Sequence, residues 1–418
     1  MSILFKPRYL ILSLLFMGKS IPAVFFMMAF PVILRIEGHS LGVIGLLQLS
    51  SVFYLAKPLW APLLNHNGAQ KNHYKYWSLL SGIGYGLLLV MLGFSNLQEN
   101  FRLIVVFIML ISFLSATQDI AISTLYIKLL SFEERGIGSS SKVLSLNVAS
   151  ILGSGVFLLI YNHYGWQVCA TSLAMTVLLP LLFLPLLEEK EYYAETSSFQ
   201  WSAIISFFRE KGMGRWFFLT ILNSISASAV FFIIKPFLVD KGVGADMIAF
   251  LLGFYGMGVS TLFAMMTGYD RFQRYLLQRR RAYLDNIVIT AIAGLPFIFI
   301  SLYIHIPVAL FLAVTLLNLG ITISTVVNGA LVMDFSRKGA ESIDYSLQMT
   351  GIHLGALFIS AVSGIIVAYI GYVMFFSAAA IFGLVMIPVS AYLFKGEWIA
   401  GEHRSGGSSF SFIRTKSR

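Results

Sequence analysis

Of the 418 residues, 58% are hydrophobic and only 11% are charged, where a soluble chain of this size carries roughly a quarter. That balance excludes a water-soluble enzyme, a nucleic-acid binder and a disordered chain. The formal charge of +10 is then best explained as a bias toward one membrane face. The single cysteine, Cys169, rules out an intrachain disulfide and a cysteine-based metal cluster.

The chain is long enough for twelve spanning helices of about 20 residues each, so an all-α membrane protein is expected. Lys6 and Arg8 precede an apolar run from Tyr9 to Leu34. At 26 residues this run is too long for a signal-peptide core and has no small-residue cleavage site, which makes it a retained first span. Hydropathy and breaker residues place spans near 9–34, 41–63, 76–95, 103–127, 143–161 and 166–187. A second set follows near 216–239, 247–268, 284–303, 307–333, 346–369 and 373–394. Between the sets lies a polar stretch, whose segment Gln200–Lys211 carries Trp201, Ile204, Ile205, Phe207 and Phe208 on an apolar side and suits an interfacial helix. The expected units are a six-helix bundle over 1–187, a linker over 188–214, a second bundle over 215–394 and a basic Gly/Ser-rich tail over 395–418. With the N-terminus inside, 23 of the 29 Lys and Arg residues, Lys128, Arg135 and Lys142 among them, fall in inner segments. This bias predicts that both termini are cytoplasmic.

Ala23-Val24-Phe25-Phe26 recurs as Ala229-Val230-Phe231-Phe232, and Gly165-Trp166 recurs as Gly371-Tyr372, both at an offset of 206. Six spans return the chain to its starting side, so two such sets form a parallel repeat, as in the two halves of major facilitator transporters. In those proteins the loop between the second and third helices commonly reads Gly-x-x-x-Asp-Arg-x-Gly-Arg-Arg. Here Asn65-His66 stand in the Asp-Arg place, whereas the second half keeps Gly268, Asp270-Arg271 and Arg279-Arg280-Arg281. An Asp-Arg pair at the inner rim can latch two helix ends, which makes Asp270 and Arg271 gating candidates. Plain positive-inside charge is the alternative for the arginine run.

Ionisable groups at bilayer depth are costly and each needs an account. By helical rise, Lys19 sits about 16 Å above Arg8, and Asp119 about 21 Å above Glu133. The difference is within reach of a lysine stem, so a Lys19–Asp119 pair between the first and fourth spans is feasible. Such a pair would serve as a substrate or proton site, or as an ion pair that only ties the helices together. Gln118, Ser123 and Tyr126 accompany it in the fourth span and Asn147 in the fifth. Asn223, Asn328 and His353 are the polar candidates of the second half, with His353 at the position of Asn147 in the repeat. Lys57 and Lys235 precede prolines near span ends and are expected to snorkel. Pro22 is expected to kink the first helix and assist gating. There is no Walker A pattern, catalytic constellation or metal-ligand spacing in the sequence, so neither an enzyme nor a cofactor is expected.

Ala116-Thr117-Gln118-Asp119-Ile120-Ala121-Ile122, then Glu133-Glu134-Arg135-Gly136, and Lys57-Pro58-Leu59-Trp60-Ala61-Pro62-Leu63 resemble the AmpG-type permease branch of the major facilitator superfamily. Muropeptide permeases of that branch usually carry a second Asp in the fourth helix and an Arg in the fifth, where this chain has Ser123 and Asn147. The related siderophore permeases, similar to the rhizobactin and pyochelin importers, share the Gln-Asp-Ile and Trp-Ala-Pro features. The resemblance implies a proton-coupled inner-membrane importer of a siderophore or ferri-siderophore, acting as a monomer on an anionic or aromatic small molecule. Muropeptide transport is the alternative within the fold. A non-transporting scaffold is the alternative outside it, and the buried Lys19 and Asp119 argue against that one.

Overall fold

The computed structural model describes residues 7–38, 48–66, 70–97, 101–189, 201–302 and 307–394. The regular elements among them are all helical. In the first half, α1 is Pro7–Ile36, α2 runs in short pieces over 48–65, α3 is His73–Gly93 and α4 is Phe101–Leu129. One continuous helical stretch then carries α5 (135–164) and α6 (166–181). In the second half, α7 is Met213–Asp240, α8 Asp246–Thr267, α9 Arg279–Leu302 and α10 Pro307–Asp334, and Glu341–Leu393 carries α11 (341–370) and α12 (372–393). Residues 41–47 of the expected second span, 190–200 of the expected linker and the tail 395–418 lie outside the described residues.

The two long stretches each double back at a glycine. Gly165 has φ 79° and ψ 178°, and Gly371 has φ 75° and ψ 169°, a region that only glycine adopts without strain. Past Gly165, the Cys169 thiol lies 3.4 Å from the carbonyl of Phe157, twelve residues back, a separation of roughly 18 Å in a straight helix. Past Gly371, Trp216 bonds Gln348 at 2.6 Å and its ring also lies 5.8 Å from that of Phe394. A straight helix would hold those two partners roughly 69 Å apart. The two reversals are 206 residues apart, the offset seen in the sequence.

Packing explains the local irregularities. Pro22, inside α1, has no N–H for the Gly18 carbonyl one turn below, and Thr176 Oγ1 of α6 lies 3.4 Å from that oxygen instead. A Cβ on Gly18 would fall 2.3 Å from the Thr176 carbonyl, so glycine is what lets α1 and α6 approach. In α5, helix begins at Arg135, well before the start near 143 expected from hydropathy. The serines of this segment satisfy helical backbone: Ser140 Oγ donates to the Gly136 carbonyl at 3.1 Å and Ser141 Oγ to Gly138 at 2.8 Å. Cores of each half are aromatic-rich, with Phe25, Phe30 and Trp166 in the first and Phe237, Phe297 and Phe376 in the second. Large apolar side chains also cover the outside, Phe254 at 80% exposure among them, as expected where lipid is the solvent.

Placing a Cβ at Gly165 or Gly371 costs about 1–3 kcal/mol. Each Gly→Ala variant is therefore expected to unfold at lower temperature than wild type in detergent, and equal midpoints would show that the reversals tolerate ordinary residues.

Candidate functional site

Four helices of the first half and one of the second converge on Asp119, which is 4% exposed in the middle of α4. Lys19 Nζ of α1 pairs with its Oδ1 at 2.5 Å, and Lys57 Nζ of α2 pairs with its Oδ2. Tyr345 of α11 donates its hydroxyl to Oδ2 at 3.2 Å. Both lysines are held over aromatic faces as well, Lys19 4.4 Å from the Phe16 ring and Lys57 4.4 Å from Tyr54. Tyr54 is fixed in turn by Ser115, 2.8 Å away in α4. A third cation, Lys142 of α5, stands beside the pair. Its ammonium bonds Ser123 Oγ at 2.9 Å and Tyr345 Oη at 3.5 Å, and lies within 4.8–5.4 Å of the Phe16, Tyr345 and Tyr126 rings. Three ammonium groups thus surround one carboxylate.

The pairing of Lys19 with Asp119 is the contact that helix heights made feasible. Lys57 is a correction: it does not snorkel but is 1% exposed and bound to Asp119. The physical reason is the interruption of α2, where a 3-10 turn over Lys57–Leu59 precedes the helical piece Ala61–Asn65. Pro58 offers no N–H to the Leu55 carbonyl, which takes a 2.9 Å bond from Thr350 of α11. Lys142 is a second correction, since it belongs to α5 and not to an inner loop. A signal existed in principle, because Lys142 lies five residues before Asn147 in a stretch whose serines can bond backbone.

The other expected residues divide. Ser123 and Tyr126 join the cluster through Lys142. Gln118 points toward Gly82 of α3, away from the lysines, and its Oε1 is buried without a partner. Asn147 bridges the halves at mid-height, donating to Ser260 Oγ of α8 at 2.9 Å, with Ser260 in turn 2.9 Å from Thr322 of α10. Asn328 bonds its own helix at the Ser324 carbonyl, 2.8 Å away. Asn223 is buried with Oδ1 unpartnered, and His353 packs edge-on to Tyr54 at 6.5 Å.

Asp270 and Arg271 stand exposed at the start of the short helix Asp270–Leu276. The charged contact between the halves lies beside them. Asp334, at the end of α10, receives Arg135 of α5 at 3.1 Å and Arg279 of α9 at 2.6 Å. Arg279 also bonds the Phe132 carbonyl at 2.9 Å, so one guanidinium spans both halves. Asn65 adds a bond to the Gly339 carbonyl at 2.7 Å, and Ser139 one to the Val326 carbonyl at 2.7 Å. Nearby, Arg337 ties Asp344 to the linker helix Ser202–Arg209 through Ser206, 3.0 Å away. Burial opposes the Arg337 charge, but its bonds to Asp344 hold the guanidinium above its ordinary range. At the opposite end, the polar bonds among the described residues stay within one half: Tyr161 to Glu37, Trp166 to Leu92, Lys241 to Ser301 and Tyr372 to Asp240. The halves are therefore closed on the side of the basic loops.

Helices paired at an offset of 206, a buried polar centre at the interface of two bundles, and closure at one end define a transporter that works between two halves. The pattern of the Major Facilitator Superfamily matches residues 9–340, and the chain belongs to that family as a multi-pass membrane transporter. It is similar to the putative transporter AmpG 4 of Rickettsia conorii, 24% identical over 90% of this chain and 94% of that protein. It is also similar to the anhydromuropeptide permease of Escherichia coli, 26% identical over 39% of this chain and 33% of that protein. Among solved structures it shares its fold with the human organic anion transporter MFSD10 (TETRAN), at a TM-score of 0.73 and 12% identity, covering 92% of this chain and 98% of that one.

Asp334→Asn leaves Arg135 and Arg279 without their carboxylate, and losing one partner of a buried pair costs about 3–5 kcal/mol. The variant is expected to open the closed end more often. A cysteine at position 139, shielded in the closed form, should then be labelled several-fold faster by a thiol reagent, and an unchanged rate would remove Asp334 from the latch.

Proposed function

We propose that this chain is a proton-coupled secondary transporter that imports an organic anion across the bacterial inner membrane by alternating access. In this reading the bundles 1–187 and 215–394 rock about the Asp119 centre, and the basic loops and both termini are cytoplasmic. The observation that carries it is the charge of the centre: three lysines and one carboxylate sum to +2 when all are ionised. Each uncompensated charge at that depth costs several kcal/mol, which an anionic substrate would offset. The AmpG-type names of the relatives favour a sugar–peptide of the muropeptide class as the cargo. A ferri-siderophore is the second reading, favoured by the Phe16, Tyr54, Tyr126 and Tyr345 rings that surround the cations.

Asp119 is the proposed link between proton and substrate, with Lys19 and Lys57 holding it in place. The closed basic end and the latch at Asp334 correspond to the outward-facing stage, and Pro22 in α1 would ease the bending that the return requires.

Uptake of labelled anhydromuropeptide and of labelled ferri-siderophore by cells with and without the protein separates the two cargoes, and an uncoupler tests the coupling. Accumulation of one of them, abolished by the uncoupler, is expected. If neither enters faster than in cells lacking the protein, the import reading fails. Asp119→Asn is expected to lower concentrative uptake at least tenfold at equal membrane abundance, and wild-type accumulation would remove Asp119 from the coupling role.

A further inference from the structure

The three lysines of the centre are not equivalent. Asp119 has two carboxylate oxygens, and each is already taken, Oδ1 by Lys19 and Oδ2 by Lys57. Among the described residues Lys142 reaches only neutral acceptors, the hydroxyls of Ser123 and Tyr345, and ring faces. Burial differs in the same sense. Lys19 and Lys57 are almost wholly enclosed, whereas Lys142 keeps part of its surface accessible. A cation at this depth with no anionic partner among the described residues and with surface to spare is a binding position.

We propose that Lys142 is the anion receptor of the transport site, taking a carboxylate or phosphate group of the cargo in place of the Tyr345 hydroxyl. The inference rests on the reading of the chain as an organic-anion transporter and names the residue that selects the anion. Tyr345 is the informative neighbour, because its hydroxyl both donates to Asp119 at 3.2 Å and accepts from Lys142 at 3.5 Å. It belongs to α11 of the second half, while every other member of the cluster belongs to the first. The 3.5 Å contact is the weakest in the centre and the easiest for an ionised oxygen to replace, since charge-assisted bonds are roughly twice as strong as neutral ones. Binding at Lys142 therefore trades a contact between the halves for a contact with cargo. That exchange gives the substrate a direct influence on how α11 is held against α4 and α5. The ring faces of Phe16 and Tyr126 keep the ammonium in position when the hydroxyl leaves.

The test is thermal unfolding of the purified full-length chain in detergent, titrated with citrate, with inorganic phosphate, and with sodium chloride at matched ionic strength. Citrate or phosphate is expected to raise the midpoint saturably in wild type while chloride does not, and the better of the two identifies carboxylate or phosphate as the preferred group. Lys142→Gln should need at least tenfold more of that anion for the same shift, and Lys142→Arg should retain the response. Tyr345→Phe, which removes the competing hydroxyl and leaves the lysine, should respond at equal or lower anion concentration, so the proposal stays testable if Lys142→Gln does not fold. Wild-type sensitivity in Lys142→Gln, or no anion response in wild type, would overturn the receptor assignment. Cargo uptake by wild-type cells is a separate measurement, so loss of the receptor and loss of the transport reading give different results.

Discussion

Two ammonium groups share the carboxylate of Asp119, and much of the first half is arranged around that necessity. Burying an ion without compensation costs several kcal/mol even after local relaxation, so Lys19 and Lys57 could not both be enclosed unless one anion reached both. The sharing fixes three helices at once. α1 must bring Lys19 to the height of Asp119, α2 must break to turn Lys57 inward, and α4 must present its carboxylate to both. Gly18, next to Lys19, lets α1 lie tightly on α6, and Pro58 interrupts α2 where the lysine enters. The break in α2 falls where Lys57 enters, inside the protein, which is where a membrane protein can tolerate backbone that departs from the helix.

The second half has no counterpart of this centre. At the offset of 206, Lys19, Lys57, Asp119 and Lys142 correspond to Ile225, Phe263, Thr325 and Gln348. Gln348 accepts a bond from Trp216 at 2.6 Å and donates to the Asp344 carbonyl at 3.0 Å, filling its position with neutral bonds. The duplicated scaffold has thus placed its charge in one bundle and left the other to contribute Tyr345 and Thr350 across the interface. A site built mainly on one half and touched lightly by the other can remain intact while the halves move. Only the light contacts need to break.

How much of this could be seen in the sequence depended on whether a residue's neighbours were local. Gly165 and Gly371 were marked by the repeat, and their matching left-handed conformations follow from what only glycine can do. Lys19 and Asp119 were found because both lie deep in uninterrupted apolar runs, where helical rise converts residue number into height. Lys57 and Lys142 escaped the same reasoning for opposite reasons. Proline after Lys57 looked like the end of a span when it was a break within one, and Lys142 stood just before a span expected near 143 when the helix already begins at Arg135. The latch shows a further limit. Asp270-Arg271 is a recognisable pair in sequence, yet the acid that Arg279 and Arg135 use is Asp334, which belongs to no local motif.

The distribution of contacts between the halves says how the site is reached. Bonds between the bundles run from Arg135–Asp334 and Asn65–Gly339 at the basic end up to Asn147–Ser260 at mid-height, and among the described residues they stop there. Asp119 and Lys142 lie within this zone, under the Asn147 bridge, so the cluster is sealed below by charged and backbone contacts and above only by neutral side-chain bonds. Neutral bonds between side chains are worth about 1 kcal/mol each, whereas disrupting a buried ion pair costs several times more. The two seals are therefore unequal in strength, and the weaker one faces the end where, among the described residues, the halves share no polar bond. A substrate that approaches from that end meets the easier barrier first. On the proposed reading, a cargo that neutralises the centre leaves the latch at Asp334 as the remaining obstacle to passage. Alternation then comes down to whether binding in the centre or the Arg135–Asp334–Arg279 cluster dictates the separation of the same two bundles.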